Sequence, residues 1–247
     1  MRQISGQFYR PVLGKGIKRL LIAIGIVFVV QVISATFGKI YLERIFGFTP
    51  VSFLSGWIWQ LFTYPFLHGG IWHILFNCLT LYLIGAELER RWGTRPFIKY
   101  YMVCAVGGAI LQILAWLVAM AFSLSAADFL GTVPIIGASG ALYGLLMAFG
   151  VLYGDNYILV MFLFPMKARN FVILLGIIEI ISAISNSDGS SGIAHLVHLG
   201  GLVTGFLYLK WKGPNLDGRG GFRRQKRMNP EELRQRLRVI ANDEKWN

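Results

Sequence analysis

Charge is what this chain has least of. Only 15% of its residues are charged, while 55% are hydrophobic. That balance excludes a disordered chain and an ordinary water-soluble domain, whose surface needs far more ionic cover. Acidic residues are the scarcest, with 12 Asp and Glu against 24 Lys and Arg, a formal charge of +12. Cysteine is nearly absent. Cys78 and Cys104 lie in separate apolar runs and form no CxxC pair. They read as buried small hydrophobes, which predicts neither a disulfide framework nor a metal site. A secretory signal peptide is also missing from the reading. The first apolar run, 20–36, has no evident cleavage site and is expected to be retained as a span.

What is present is a series of long apolar runs, with mean hydropathy +0.57. A transmembrane helix needs about 20 apolar residues. The runs predict an all-α, polytopic membrane protein with six spans at 18–38, 70–87, 96–122, 138–153, 168–185 and 193–211. The fourth is short. The connection 39–69 is rich in Phe and Trp, including Trp57 and Trp59, and predicts an element lying in the membrane interface. The run 157–165 has strand-like composition. Three regions follow: an N-terminal segment 1–17, the bundle 18–211 and a basic tail 212–247, in which Asn229-Pro230 announces a short helix over 228–243.

The cations set an orientation. With the N-terminus in the cytoplasm, 22 of the 24 Lys and Arg fall on the inside and only Lys39 and Arg44 outside, as the positive-inside rule requires. Both termini are then cytoplasmic. The basic segments are expected to meet anionic lipid headgroups rather than nucleic acid, because no aromatic–basic interleaving is present to stack bases.

Polar groups inside spans are costly, so each is a functional candidate. Ser139 lies in Gly137-Ala138-Ser139-Gly140, after Pro134. Pro and Gly delay the start of the fourth helix until it is inside the membrane, which surrounds Ser139 with free backbone N–H groups and the positive end of a helix dipole. His198 enters the sixth span from the same side at a matching depth, where it can serve as base to a serine nucleophile. Gly140 and Gly144 after Ser139, and Gly201 and Gly205 after His198, are GxxxG pairs that let two helices approach closely. His73 and Asn77, four apart, share a face of the second span and can donate to an oxyanion. His195 lies on the His198 face as a supporting residue. Gln112 is expected to bond between helices. His68 is placed at the interface. Glu179 stands inside the fifth span with no cation near it in sequence, and no role is assigned to it.

These residues resemble the rhomboid family of intramembrane serine proteases, through His73-Ile74-Leu75-Phe76-Asn77, Gly137-Ala138-Ser139-Gly140 and His198-Leu199-Gly200-Gly201 in successive even-numbered spans. The resemblance covers roughly 18–211. It implies a six-helix rhomboid bundle and a Ser139–His198 dyad without a third acid. The oxyanion would be held by the Ser139 N–H, His73 and Asn77, and Tyr143 would stack on His198. It also implies no metal or cofactor, and single-span membrane proteins as substrates. The compact six-span form looks bacterial, which predicts a plasma membrane location with the site opening to the outer face. One departure is visible: the family often has Trp-Arg in the first outside loop, where this chain has Trp59-Gln60.

Overall fold

The computed structural model describes residues 13–160, 164–185, 190–214 and 216. The chain divides into two units, 1–217 and 218–247. The second, with the expected helix at 228–243, lies outside the described residues, as does most of the N-terminal segment.

Five helices are long and apolar enough to cross a membrane, and a sixth is shorter. The long ones are α1 (Lys15–Phe37), the rod formed by α5 (Ile71–Thr80) and α6 (Ala86–Trp92), α7 (Thr94–Ala121), α10 (Ala168–Ser185) and α11 (Ser190–Lys212). Between α5 and α6 the chain passes through a π-helical stretch, Leu81–Gly85, without breaking the rod. The short helix is α9 (Ser139–Leu152). Large apolar side chains on the outer helices face outward: Ile22, Ile26, Ile33, Ile173, Ile181 and Ile184 are all more than half exposed. A water-soluble protein does not display such a belt, and a lipid environment covers it. The chain is an integral, multi-pass, all-α membrane protein.

Expected and observed spans agree in order and differ at their ends. The second rod runs on to Trp92, five residues past the expected 87, and α11 begins at Ser190, before the expected 193. Glu87, Glu89, Arg90 and Arg91 end the hydropathic window early, yet their backbone stays helical until Gly93, whose φ is +81°.

The first loop is built of short elements: α2 (Glu43–Phe46), α3 (Pro50–Leu54), α4 (Gln60–Thr63) and a 3₁₀ turn at Tyr64–Phe66. Phe46, Trp57, Trp59 and Phe62 are exposed while Phe48 and Tyr64 are buried, and Trp57 stacks on Trp59 at 5.4 Å. Another short helix, α8 (Ala127–Thr132), packs on α7, and Gln112 of α7 donates to the Leu130 carbonyl at 2.8 Å. The strand-like run forms a hairpin, β1 (Tyr157–Val160) antiparallel to β2 (Phe164–Lys167), with Tyr157 opposite Lys167.

The centre of the bundle is α11, held between α7 and α9 at near-backbone distance. A Cβ added to Gly201 would collide with the Gly140 carbonyl, and one on Gly205 would lie 3.1 Å from the Gly144 Cα. On the other side, a Cβ on Gly200 would meet the Gly108 Cα at 2.7 Å. Small residues permit this contact, and dispersion over two closely opposed backbones stabilises it in a lipid medium that supplies no hydrophobic force between helices. Tyr100 donates to the Gly144 carbonyl at 2.9 Å and Tyr64 to the Ala105 carbonyl at 2.7 Å. The long phenols thus tie buried carbonyls where the glycines leave room.

Candidate active site

The short fourth span is the feature that makes a site. Pro134 has no N–H to donate, and Gly137 sits at φ +115°, a conformation open to glycine. The chain therefore stays non-helical through Gly137 and turns helical at Ser139, the first residue of α9. At about 1.5 Å per residue, its 14 residues cover about 21 Å, less than the roughly 30 Å of a bilayer core. The helix start is thus sunk in the bundle, and its first N–H groups have no partner within the helix. The non-helical approach is supported by the first loop. Phe48 and Ile135 exchange backbone hydrogen bonds at 2.9 and 2.8 Å, and Gly137 donates to the Tyr64 carbonyl at 3.0 Å. This satisfies backbone groups that could not otherwise be buried at that depth.

The glycine seam between α9 and α11 brings Ser139 and His198 together, with Ser139 Oγ 2.8 Å from His198 Nε2. Tyr143, one turn along α9, stacks on the His198 ring with centroids 4.2 Å apart and planes 9° from parallel. This fixes the ring plane so that Nε2 meets the hydroxyl.

On the opposite edge of that ring is Glu179 of α10, whose side chain is 4% exposed. Its Oε2 lies 3.1 Å from His198 Nδ1 and 2.5 Å from His195 Nδ1. Its Oε1 accepts from the Tyr143 hydroxyl. His198 Nδ1 is buried and makes no hydrogen bond, so the 3.1 Å contact lies within ion-pair range but lacks hydrogen-bond alignment. Glu179, His195 and His198 present ligand atoms within 4.8 Å of one another. Three donors suit a transition-metal ion. Tyr143 and His195 already bond the two oxygens of the carboxylate, His198 Nε2 is engaged with Ser139, and His198 Nδ1 stands beside the carboxylate without a hydrogen bond of its own.

The other wall comes from α5. Gly69 donates to His73 Nδ1 at 3.3 Å, which leaves the proton on Nε2. The Nε2 edge faces Gly137, where an added Cβ would lie 2.7 Å from His73 Nε2 and 3.7 Å from Asn77 Nδ2. Glycine is required here for space as well as for φ. Asn77 Nδ2 is buried with no protein partner. Two side-chain donors therefore converge on the turn that leads into Ser139. His68, whose ring lies 4.9 Å from that of His73, is buried in the protein, with its backbone N–H donating to Gln31 of α1. Burial, then the neighbouring His73, push its pKa down to about 4, so it is neutral at physiological pH.

A cavity of about 160 Å³ adjoins Ser139, lined by Val133, Pro134, Ile136, Ile193 and Val197 among others. It is apolar and large enough for a small side chain.

The structure thus gathers Ser139, His198, Tyr143, His73, Asn77 and Gly137 around one point. Gly140, Gly201 and Gly205 line the helix seam behind it, and His195 sits behind the imidazole rather than on the serine. The sequence assigns no role to Glu179, whose only signal is a carboxylate inside a span. Tyr64, the support of the Ser139 turn, gave no signal. Gln60, at the position of the family's arginine, is fully buried. It accepts from Thr49 N–H at 3.2 Å and donates to the Ile45 carbonyl at 3.3 Å, and so pins the loop with a neutral side chain. Chemically, a hydroxyl bonded to an imidazole is an activated nucleophile, and donors converging beside it suit a developing negative charge.

Comparison with known proteins gives the family. Residues 55–213 match the family model of the rhomboid domain, a stretch that holds every residue of the site. Among the relatives, "RHOMBOID-like protein 1" of Arabidopsis thaliana is 34% identical over 151 residues, 61% of this chain and 33% of that protein. "RHOMBOID-like protein 4" of the same plant is 30% identical over 149 residues, 60% of this chain and 32% of the relative. "Rhomboid protease GluP" of Bacillus subtilis (strain 168) is 33% identical over 149 residues, 60% of this chain and 25% of the relative. The chain thus spans a quarter to a third of the length of these proteins. A family-model match over residues 55–213, more than half of the chain, leads to one statement: the chain belongs to the rhomboid family.

Proposed function

We propose that this chain is an intramembrane serine endopeptidase that cuts single-span membrane proteins in or near their transmembrane segments. The observation that carries the reading is the 2.8 Å contact between Ser139 Oγ and His198 Nε2 at the sunken start of a short helix.

The steps follow from the positions. His198 Nε2 takes the Ser139 proton as Oγ attacks the scissile carbonyl carbon. The resulting oxyanion is held by the Ser139 backbone N–H, His73 Nε2–H and Asn77 Nδ2. Preorganised donors of this kind are each worth about 3 kcal/mol in related chemistry. The protonated His198 then gives its proton to the leaving amine. Water, activated by the same nitrogen, releases the acyl group. The cavity beside Ser139 takes a small apolar side chain next to the cut bond, which fits substrates with small, helix-weakening residues there.

Access is lateral. α10 leans on α9 and α11, and α5 turns Trp72 and Phe76, both more than half exposed, toward lipid. A substrate helix entering between α5 and α10 would unwind at the site. In this reading both termini are cytoplasmic, the basic segments meet anionic headgroups, and the site opens to the outer face.

The test is cleavage of a reconstituted single-span substrate by the full chain and its Ser139→Ala variant. The variant is expected to lose activity by about 10⁴-fold or more and to lose labelling by a fluorophosphonate. Equal cleavage by both would end the proposal.

A further inference from the structure

The family resemblance implies two catalytic side chains and no acid. The structure holds an acid in the place a third would occupy. Among the described residues, Glu179 is the one buried carboxylate at this end of the bundle. It reaches the Nδ1 edge of His198, opposite the edge that faces Ser139. Within reach of two imidazoles and a phenol, it is anchored on both oxygens: Oε1 by Tyr143, which also stacks on His198, and Oε2 by His195. A carboxylate that only filled space would be an expensive choice inside a membrane span.

We propose that Glu179 is a positioning residue for His198. It keeps the neutral imidazole in the Nδ1–H tautomer, so that Nε2 is free to accept the Ser139 proton, and it stabilises the imidazolium formed in the step. The idea rests on the protease reading and adds a member to its machinery. In the resting state His195 and Tyr143 hold the carboxylate 3.1 Å from Nδ1 but off the axis of its N–H. Apo catalytic hydrogen bonds are often misaligned in this way and straighten as charge develops. When His198 becomes a cation, a small swing of the ring or the carboxylate completes the bond. His195, the tightest partner of Oε2, then acts as a clamp on Glu179 and has no contact with the serine.

In Glu179→Gln, the amide N–H₂ can donate to Nδ1 and so favours the Nε2–H tautomer, in which His198 cannot act as base. Glu179→Gln is therefore expected to lower kcat about 10²- to 10⁴-fold with little change in KM, by analogy with the amide replacement of a serine-protease aspartate. Glu179→Asp should recover at least part of that loss.

A second measurement does not depend on turnover. The chain has four histidines, so ¹⁵N-imidazole NMR of the full chain in micelles can resolve each ring, with His195→Ala and His198→Ala to assign them. The wild type is expected to show His198 protonated on Nδ1, and Glu179→Gln to shift it to Nε2. An unchanged His198 tautomer in Glu179→Gln overturns the proposal. So does a fall in activity that merely tracks a fall in melting temperature, or Ser139-dependent cleavage at wild-type kcat in Glu179→Gln. If Ser139→Ala still cleaves, the protease reading fails by itself, and the tautomer still decides what Glu179 does.

Discussion

Among the described residues two glutamates are buried, toward opposite ends of the helices, and they are held in opposite ways. Glu89 of α6 accepts from the backbone N–H groups of Gly16 and Ile17 at 2.7 and 2.9 Å and from the Thr94 hydroxyl at 2.6 Å. These are the first turns of α1 and α7. Its charge faces the positive end of a helix and serves as a cap delivered from another helix. Glu179 accepts from no backbone group. Its partners are Tyr143, His195 and His198, all titratable. One carboxylate completes secondary structure and has both oxygens bonded to fixed donors. The other faces groups whose protons can move. Burial and a charge in a membrane helix look alike in the two cases; the partners tell them apart.

The sharpest way to break this contrast is to remove the structural member. Glu89→Ala leaves two N–H groups of α1 and the Thr94 hydroxyl without their acceptor. Hydrogen bonds to charged groups contribute about 1.5–3 kcal/mol each. A net loss of about 3 kcal/mol is expected, read as a clear fall in melting temperature in detergent. The turnover of the molecules that remain folded should be unchanged. If Glu89→Ala changed kcat at full folding, the division of labour between the two ends would be wrong.

A smaller effect is expected at Gln60, in the loop that supports the Ser139 turn. This residue joins α4 to the Thr49 N–H and the Ile45 carbonyl, and the same loop holds Ile135 and Gly137 ahead of Ser139. Gln60→Ala should cost about 1–2 kcal/mol for the two buried groups it leaves unpaired. Because the loop supports the Ser139 turn, activity should fall a few-fold at temperatures where the fold is intact. Gln60→Arg, which restores the family's common residue, brings a charge into a fully buried site and should destabilise more than alanine. Melting curves of the two variants decide this.

Much of this arrangement is legible in the sequence, and the reason is the solvent. In an apolar span a serine, a histidine or an asparagine has no trivial explanation, so Ser139, His198, His73 and Asn77 stand out. The two GxxxG pairs indicate which helices meet. What does not show is anything that depends on helical phase across a connection. Glu179 and His195 are 16 residues apart on different helices, and no local spacing reveals that they touch. The first loop hides its function for another reason. Phe48, Tyr64 and Gln60 act through backbone partners or buried amides, which leave no charge pattern, and the aromatic content that points to the membrane interface masks them. The end of α6 is illegible because four charged residues look like a loop, although Glu89 is buried in the helical bundle.

The finest test of the contrast concerns Tyr143, which belongs to both kinds of interaction. Its ring stacks on His198 and its hydroxyl bonds to Glu179. Tyr143→Phe keeps the stack and removes one donor from the carboxylate. If Glu179 is held chiefly by His195, with Tyr143 as a second anchor, kcat should fall only about 3- to 10-fold, the scale of one hydrogen bond of about 1 kcal/mol. Tyr143→Ala removes both and should cost distinctly more, because the imidazole plane is then free to rotate away from Ser139. Combining Tyr143→Phe with Glu179→Gln separates the routes. If the hydroxyl acts only through the carboxylate, the double variant should be no slower than Glu179→Gln alone, since a coupled pair is non-additive. Full additivity would mean that the Tyr143 hydroxyl has a task of its own, and that the cluster behind His198 is not one unit.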